Sequence, residues 1–134
     1  MSDWNVKIIK EFRENDGKVG GHFANATLAL LHTTGAKSGE ERINPLMCII
    51  DGDRYVVVAS KGGADTHPDW YYNVLANPNV TVEYGTETFE ALATPAEEPE
   101  RTELYTKVEA VASAFTDYKN GTDRVIPVVI LERK

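Results

Sequence analysis

Hydroxyl groups, basic side chains, glycines and aromatic rings are concentrated between Thr33 and Asn73. Three short segments carry them, with the sequences TTGAKSGEERINP, VVVASKGGAD and THPDWYYNVLANP. Glycine turns let backbone N–H groups approach an anion, lysine and arginine add positive charge, and aromatic rings pack against flat molecules. This combination is the chemistry of a site for an anionic, planar cofactor.

The glycines of the first segment, Gly35 and Gly39, can adopt positive φ, which would let consecutive N–H groups converge on an anion beside Lys37 and Ser38. The spacing is not that of a P-loop, so a plain hairpin with an exposed lysine is an equal alternative. The residues alone leave both interpretations open.

The second and third segments are ambiguous in the same way. Ser60 and Lys61 stand beside two glycines at the end of an apolar run, where backbone can approach a ligand closely. The rings of the third segment, Trp70 in particular, are equally explained as part of the hydrophobic core.

The bulk composition limits the possible functions. The chain has 134 residues, one cysteine (Cys48) and a formal net charge of −7 at pH 7. Because nucleic acids and anionic membranes attract basic surfaces, this charge argues against general binding to either. The length predicts one domain over 1–134. A lone cysteine fits the reducing cytoplasm, and residues 1–20 lack the features of a secretion signal.

An amphipathic helix is predicted within 1–20, behind a cap at Ser2 or Asp3. Its apolar positions are Trp4, Ile8, Ile9 and Phe12. We expect this helix to pack on the domain or to cover the cofactor. The alternative is peripheral membrane contact through its aromatic side chains, which would suit a lipid-soluble substrate.

Short apolar runs rich in β-branched residues predict strands joined by hairpins. The predicted strands are 27–33, 43–50, 54–60, 80–84, 88–93 and 124–132. Pro127 in the last run indicates an edge or bulged strand. Hairpins without repeated βαβ units predict a mainly β (α+β) fold, in which an antiparallel barrel of about six strands over 27–132 has helices packed outside.

Two further helices are predicted. One runs from Pro68 to Ala76 with a cap at Thr66 or His67, and the other is a long helix after Pro99 that covers the sheet. The apolar stripe of the long helix consists of Leu104, Val108, Val111 and Phe115.

Metal and hydrolase sites are not predicted. His22, His32 and His67 lack the spacing of metal ligands, so we expect no metal. Ser38 and Ser60 have no histidine and acid at recognisable offsets, which argues against a catalytic triad.

The order and spacing of four segments carry a resemblance to a known family. TTGAKSGEERINPL, DGDRYVVVASKGGA, HPDWYYNVLANP and TDRVIPVVIL together resemble the deazaflavin-dependent nitroreductase family, which belongs to the split-barrel flavin and deazaflavin oxidoreductases. The resemblance runs from about Thr27 to Leu131. It implies an FMN-binding split-barrel-like fold that binds coenzyme F420, an 8-hydroxy-5-deazaflavin with a phosphodiester and an oligoglutamate tail.

The resemblance also implies which residues hold the coenzyme. Those expected at the phosphate and tail are Ala36, Lys37, Ser38 and Arg42. Those expected to line the ring from two neighbouring strands are Ile43, Asn44, Pro45, Leu46, Met47, Val58, Ala59, Ser60 and Lys61. Those expected to close the remaining side are Asp69, Trp70, Tyr71, Tyr72 and Asn73.

The implied reaction is hydride transfer from the reduced deazaflavin to a quinone or nitroaromatic acceptor. Ser60 and Tyr118 are the candidate catalytic donors to the acceptor. The best-known nitroreductases place several tyrosines around the substrate, whereas the matching positions here are Ala112, Phe115 and Tyr118. Since only one hydroxyl remains, we expect quinones to be reduced better than bicyclic nitroimidazoles.

Two other functions fit the residues. One is a deazaflavin carrier or binding protein without turnover, and the other is an FMN-dependent split-barrel reductase. The cluster of Lys37, Arg42 and Lys61 favours the longer acidic tail of the deazaflavin. The resemblance implies a site within one chain, which favours a monomer over a homodimer.

Overall fold

The computed structural model describes residues 3–17 and 27–134. In this part of the chain there are six strands, four α-helices and one 3-10 turn. The strands are β1 (Leu28–Thr34), β2 (Glu41–Asp51), β3 (Arg54–Val58), β4 (Asn79–Tyr84), β5 (Glu87–Pro95) and β6 (Val128–Arg133). The helices are α1 (Asp3–Glu14), α2 (Asp69–Ala76), α3 (Glu100–Val111) and α4 (Ala114–Asn120), and the 3-10 turn is Lys61–Gly63.

The strands form a closed antiparallel barrel in the order β1-β2-β3-β6-β5-β4. This confirms the predicted six-stranded antiparallel barrel with helices outside it. The expected edge position of the last strand is wrong, because β6 pairs with both β3 and β5. Pro127 lies just before β6, and its carbonyl accepts the Ala59 N–H at 2.9 Å. The proline therefore removes no donor from the ladder.

Strand β2 changes its pairing partner part-way along its length. Glu41 to Met47 pair with β1, whereas Cys48 to Asp51 pair with β3. β3 ends at Val58, so among the strands of the described residues none pairs with the first half of β2 on its second side. This half carries Pro45, which cannot donate a backbone hydrogen bond. The barrel wall is consequently split beside β2, and a ligand can approach the strand there.

Alternating side chains fill the barrel, and the helices cover its outer surface. The interior includes Leu31, Val57, Val82 and Leu131, all 0% exposed. On the outside, Ile8, Ile9 and Phe12 of α1 pack on Leu28 and Leu30 of β1. Phe12 is 1% exposed, and burial of such a side chain contributes roughly 1.5–3 kcal/mol. The predicted amphipathic helix therefore packs on the barrel; the side chain of Trp4 lies outside the described residues.

The long helix predicted after Pro99 is two helices, α3 and α4. Ala112 has extended dihedral angles (φ −139°, ψ 99°), which end α3. The Tyr105 hydroxyl donates to the Phe115 carbonyl at 2.6 Å, and this bond ties α4 back to α3. Val111 is 61% exposed and leaves the predicted stripe, whereas Tyr105 joins Leu104 and Val108 against the barrel. The break lets α4 turn toward the split in the barrel.

The start of α2 also differs from the prediction. Pro68 occupies the N-cap position, and no side chain caps the helix. His67 does not cap it, because its Nδ1 atom lies 2.8 Å from Nη1 of Arg124. No helix in the described part of the chain is long and apolar enough to cross a membrane.

Candidate active site

Two adjoining cavities open beside the first half of β2. The larger, about 930 Å³, lies between the 35–38 loop, β2 and α2, and we call it the loop cavity. The smaller, about 590 Å³, lies at the split in the barrel, and we call it the split cavity. Asn5, Asn44 and Trp70 line both. The two cavities therefore form one groove, with α1 at their junction.

Most of the residues predicted for the site line this groove. In the loop cavity they are Ala36, Lys37, Ser38, Arg42, Ile43, Asn44, Asp69, Trp70, Tyr72 and Asn73. In the split cavity they are Asn44, Pro45, Leu46, Met47, Val58, Ser60, Lys61, Trp70, Ala112, Phe115 and Tyr118. Their roles toward a ligand stay predictions.

Two predicted residues lie behind the groove wall. Ala59 is 0% exposed within the barrel core, and its carbonyl accepts hydrogen bonds from Arg124. Tyr71 packs against the same core, and its ring centroid lies 4.9 Å from that of His67. Both residues lie against the barrel core, so they are absent from the lining of the two cavities.

The 35–38 loop is closed by hydrogen bonds within the protein. The Gly35 N–H donates to the Glu40 carbonyl at 2.7 Å, and the Gly39 N–H donates to the Gly35 carbonyl at 2.9 Å. Gly39 has φ +72°, as expected, but Gly35 does not adopt positive φ. Gly35 is instead required for space, because a Cβ there would lie 2.6 Å from Oγ of Ser38. The expectation of positive φ is therefore confirmed for Gly39 and wrong for Gly35.

The buried amide of Asn73 fixes the position of this loop. Its Oδ1 accepts the Ala36 N–H at 2.9 Å, and its Nδ2 donates to Oγ1 of Thr33 at 3.1 Å. Asn73 is 7% exposed, so these bonds are shielded from water. The loop and α2 are thereby held as one wall of the loop cavity.

Charges of both signs surround the loop cavity. Lys37 and Arg42 supply the positive charge, and Glu41 and Asp69 lie on the same lining. Arg42 Nη2 lies 3.3 Å from Glu40 Oε2, and both side chains are more than half exposed. Exposed pairs of this kind contribute about 0–1 kcal/mol, so a ligand anion can compete for the guanidinium.

The split cavity is mostly apolar, and it is lined by Ser60, a residue that is largely buried. Ser60 is 8% exposed, and within residues 3–17 and 27–134 its Oγ has no hydrogen-bond partner. Phe115 and Tyr118 of α4 form the opposite wall, with their ring centroids 5.1 Å apart. A flat apolar molecule would find packing surface here, with the hydroxyl groups of Ser60 and Tyr118 beside it.

The turn after β3 has an unusual backbone. Lys61, Gly62 and Gly63 have φ of +47°, +65° and +83°, so three successive residues lie in the left-handed region. For Lys61 this conformation is sparsely populated, and such strain is found most often at functional sites. A Cβ at Gly63 would lie 3.0 Å from Cα of Tyr118, so glycine lets the turn touch α4.

Arg124 was missed by the sequence analysis, although it lies within the motif TDRVIPVVIL. Its guanidinium donates to the carbonyls of Ala59, Ser60 and Ala64 and to His67. Burial, followed by the charge of Arg124, lowers the pKa of His67. A half-buried arginine needs partners, but these lie about 60 residues away and leave no local pattern in the sequence.

A second cluster ties α1 to the barrel. Arg13 donates to both carboxylate oxygens of Glu83, at 3.1 and 2.7 Å, and Nε2 of His32 lies 2.6 Å from the same group. The hydrogen bond from Arg13 is the largest cause of the lowered pKa of Glu83. In the described part of the chain, no group of three or more His, Cys, Asp or Glu side chains is arranged to hold a metal ion.

The lining of the groove fits a long anionic molecule with a planar head. The loop cavity offers Lys37, Arg42 and hydroxyl groups to anionic groups, while the split cavity offers flat apolar walls and the Ser60 hydroxyl. Both volumes lie within the usual range of ligand pockets, roughly 300–1,000 Å³. A deazaflavin ring with a phosphate-bearing tail has this distribution of polarity.

Comparisons with known proteins point to the same chemistry. Residues 4–133 match the family model described as F420H(2)-dependent quinone reductase. A Mycobacterium tuberculosis protein named as an F420H(2)-dependent quinone reductase is 40% identical over 127 residues, covering 92% of this chain and 85% of its own.

Solved structures agree with this relationship. One, described as the structure of an F420-H2 dependent reductase, has a TM-score of 0.73 and 42% identity, covering 78% of this chain and 93% of its own. Another, described as a domain-swapped dimer, has a TM-score of 0.75 and 39% identity, covering 97% of this chain and 98% of its own. The chain belongs to the F420H2-dependent quinone reductase family.

Proposed function

We propose that this protein uses reduced coenzyme F420 to reduce a quinone. The observation that carries the proposal is the continuity of the groove, in which a loop cavity lined by Lys37 and Arg42 opens into a mostly apolar cavity that contains the Ser60 hydroxyl. When bound, the coenzyme supplies a hydride and a proton, which together convert a quinone to a hydroquinone. The protein supplies binding, orientation and electrostatic stabilisation.

The loop cavity would hold the anionic part of the coenzyme. Lys37 and Arg42 are its basic side chains, and Ser38 adds a hydroxyl group. The guanidinium of Arg42 can bind a phosphate or carboxylate through two parallel hydrogen bonds. The bonds of Asn73 to Ala36 and Thr33 keep this surface in place before a ligand arrives. An already ordered loop avoids part of the entropy cost of binding.

The split cavity would hold the ring and the acceptor. The first half of β2, which pairs with β1 but not with β3, would present Pro45, Leu46 and Met47 to the ring, and Val58 lies across the split. Ala112, Phe115 and Tyr118 would then border the acceptor. Ser60 would donate to an acceptor oxygen that becomes negative as hydride arrives, and this donation would stabilise the transition state. Tyr118 is the second hydroxyl group of this cavity and a candidate proton donor.

A fluorescence titration with oxidised F420, run beside one with FMN, tests the cofactor assignment. The proposal predicts saturable binding of F420 with higher affinity than FMN. Preference for FMN would make the protein a flavin-dependent enzyme, and binding of neither would contradict the proposal.

The oligomeric state and location are also open to test. The monomer favoured by the sequence is disfavoured by the 39% identical structure described as a domain-swapped dimer. We therefore propose a dimer, which light scattering coupled to size-exclusion chromatography would measure. The single cysteine, Cys48, is buried and unpaired, which supports our placement of the protein in the reducing cytoplasm.

A further inference from the structure

Arg124 uses its whole guanidinium group to hold the turn beside the split cavity. Nε donates to the Ala64 carbonyl at 2.7 Å, and Nη2 donates to the Ser60 carbonyl at 2.7 Å. Both terminal nitrogens also reach the Ala59 carbonyl at 3.2 Å. The remaining donor, on Nη1, lies 2.8 Å from Nδ1 of His67. An arginine has five N–H donors, and all five are used here.

These contacts fix the direction in which two backbone N–H groups point. In a trans peptide the carbonyl and the following N–H lie on opposite sides of the chain. The Ala59–Ser60 and Ser60–Lys61 bonds are trans. Because both carbonyls face Arg124, the N–H groups of Ser60 and Lys61 face away from it. Ser60 and Lys61 line the split cavity, whereas Arg124 does not.

Both N–H groups are available to a ligand. Across the described ranges, 3–17 and 27–134, neither the Ser60 nor the Lys61 N–H donates to any protein acceptor. The neighbouring N–H groups are used, since Ala59 donates to Pro127 and Gly63 donates to Ser60. The backbone of Ser60 has right-handed helical dihedral angles, and that of Lys61 is left-handed. This succession of conformations makes neighbouring N–H groups converge.

Resting on the function proposed above, we propose that Arg124 is a positioning residue that aims the N–H groups of Ser60 and Lys61 into the groove, where they bind a carbonyl oxygen. The Ser60 hydroxyl lies on the same turn and adds a third donor. The oxygen is that of the acceptor or that of the coenzyme ring. Donors that are fixed before the reaction stabilise developing negative charge without reorganisation.

The first test uses the amide resonances of Ser60 and Lys61 in ¹H,¹⁵N spectra. Oxidised F420 is added to the protein, followed by menadione. Downfield shifts of both amides with F420 alone assign the oxygen to the coenzyme, and shifts that need menadione assign it to the acceptor. Binding of F420 with neither amide affected at any stage overturns the oxygen site alone. Absence of F420 binding contradicts the proposed function and removes the oxygen site with it.

The second test replaces Arg124 by lysine, which keeps the charge but has a single nitrogen and cannot hold four partners. We expect kcat for menadione to fall about tenfold, since loss of preorganised donors acts on the transition state, while the thermal midpoint of a folded variant stays above the assay temperature. The amide shifts of Ser60 and Lys61 should disappear. Arg133→Lys is the matched control. Arg133 lies on the same C-terminal segment as Arg124, and its charge partner, Glu87, is exposed, so the substitution changes an arginine away from the groove. Equal effects of the two substitutions would overturn the role of Arg124.

A third measurement needs neither a variant nor a cofactor. Donation from Arg124 to Nδ1 requires a neutral His67 that carries its proton on Nε2. The ¹⁵N shifts of the imidazole in the unliganded protein distinguish this tautomer. A protonated ring at pH 7, or a proton on Nδ1, would show that the contact does not form and would overturn the proposal even if Arg124→Lys fails to fold.

Discussion

The two halves of the groove are built in opposite ways. The loop cavity comes mainly from two nearby segments, 35–44 and 69–73, and its Ala36, Lys37 and Ser38 are exposed. The split cavity is assembled from β2, the end of β3, the following turn and α4, and Val58 and Ser60 in it are buried. Water screens charges in the first half, whereas packing fixes donors in the second. Affinity should therefore depend on the loop cavity, and turnover on the split cavity.

The largest effect on turnover should come from Ser60→Ala. We expect kcat for menadione to fall on the order of 100-fold, since one donor to a developing oxyanion is lost, while the Kd for F420 changes much less. Ser113→Ala, at an exposed position between α3 and α4, is the matched control. Steady-state kinetics and fluorescence titration measure both quantities. A larger change in Kd than in kcat would make Ser60 a binding residue.

The residues proposed to border the acceptor allow a second comparison, between two kinds of substrate. Since Ala112, Phe115 and Tyr118 provide one hydroxyl group, we expect kcat/KM for menadione to exceed that for a bicyclic nitroimidazole by roughly tenfold or more. Both are assayed with the same preparation of reduced F420. Faster reduction of the nitroimidazole would contradict the claim that a single hydroxyl group among these three residues favours quinones.

Alanine substitutions at two adjacent glycines distinguish the cost of backbone strain from the cost of a packing clash. Gly62→Ala introduces a Cβ into open space at φ +65°, whereas Gly63→Ala places one 3.0 Å from the backbone of Tyr118 at φ +83°. We expect both to destabilise the protein by about 1 kcal/mol through the left-handed conformation, and Gly63→Ala to cost about 1–2 kcal/mol more. Urea unfolding measures the difference. Equal losses would show that the turn does not need its contact with α4.

Removing positive charge from the loop cavity should weaken coenzyme binding. We expect Lys37→Gln and Arg42→Gln each to raise the Kd for F420 roughly fivefold at low salt, with the effect shrinking as salt screens the charges. Lys10→Gln, on the exposed face of α1, removes the same charge elsewhere. An unaltered Kd at low salt in both variants would place the anionic tail outside the loop cavity.

The smallest effect concerns pH and the attachment of α1. The pKa of Glu83 is lowered in the folded state, chiefly by the hydrogen bond from Arg13. A lowered carboxyl pKa contributes stability above the unfolded value, and the contribution is lost as pH falls through the folded value. Arg13→Gln should therefore cost about 0.5–1 kcal/mol at pH 7 and less at pH 3.5, as measured by urea unfolding. A cost that is independent of pH would exclude the ion pair as its cause.

The sequence predicted the features that depend on local pattern. The β-branched apolar run in 54–60 and the alternation in 80–84 located β3 and β4, and the glycine-rich segments located most of the groove. The break between α3 and α4 was not predictable, because it depends on the contact of Tyr105 with the Phe115 carbonyl. The closure of the barrel, which makes β6 an interior strand, depends on residues that are distant in the chain. The contacts of Arg124 depend on distant residues in the same way. Secondary-structure propensity and hydrophobic periodicity carry no information about partners that are distant in the sequence.

Stopped-flow reoxidation of the protein loaded with reduced F420 tests the central claim most directly. After mixing with excess menadione, the absorbance of oxidised F420 should return in a single exponential, much faster than with free coenzyme, and the Ser60→Ala variant should slow it. A rate equal to that of free coenzyme, with the coenzyme bound, would contradict a catalytic role and leave the protein as a carrier.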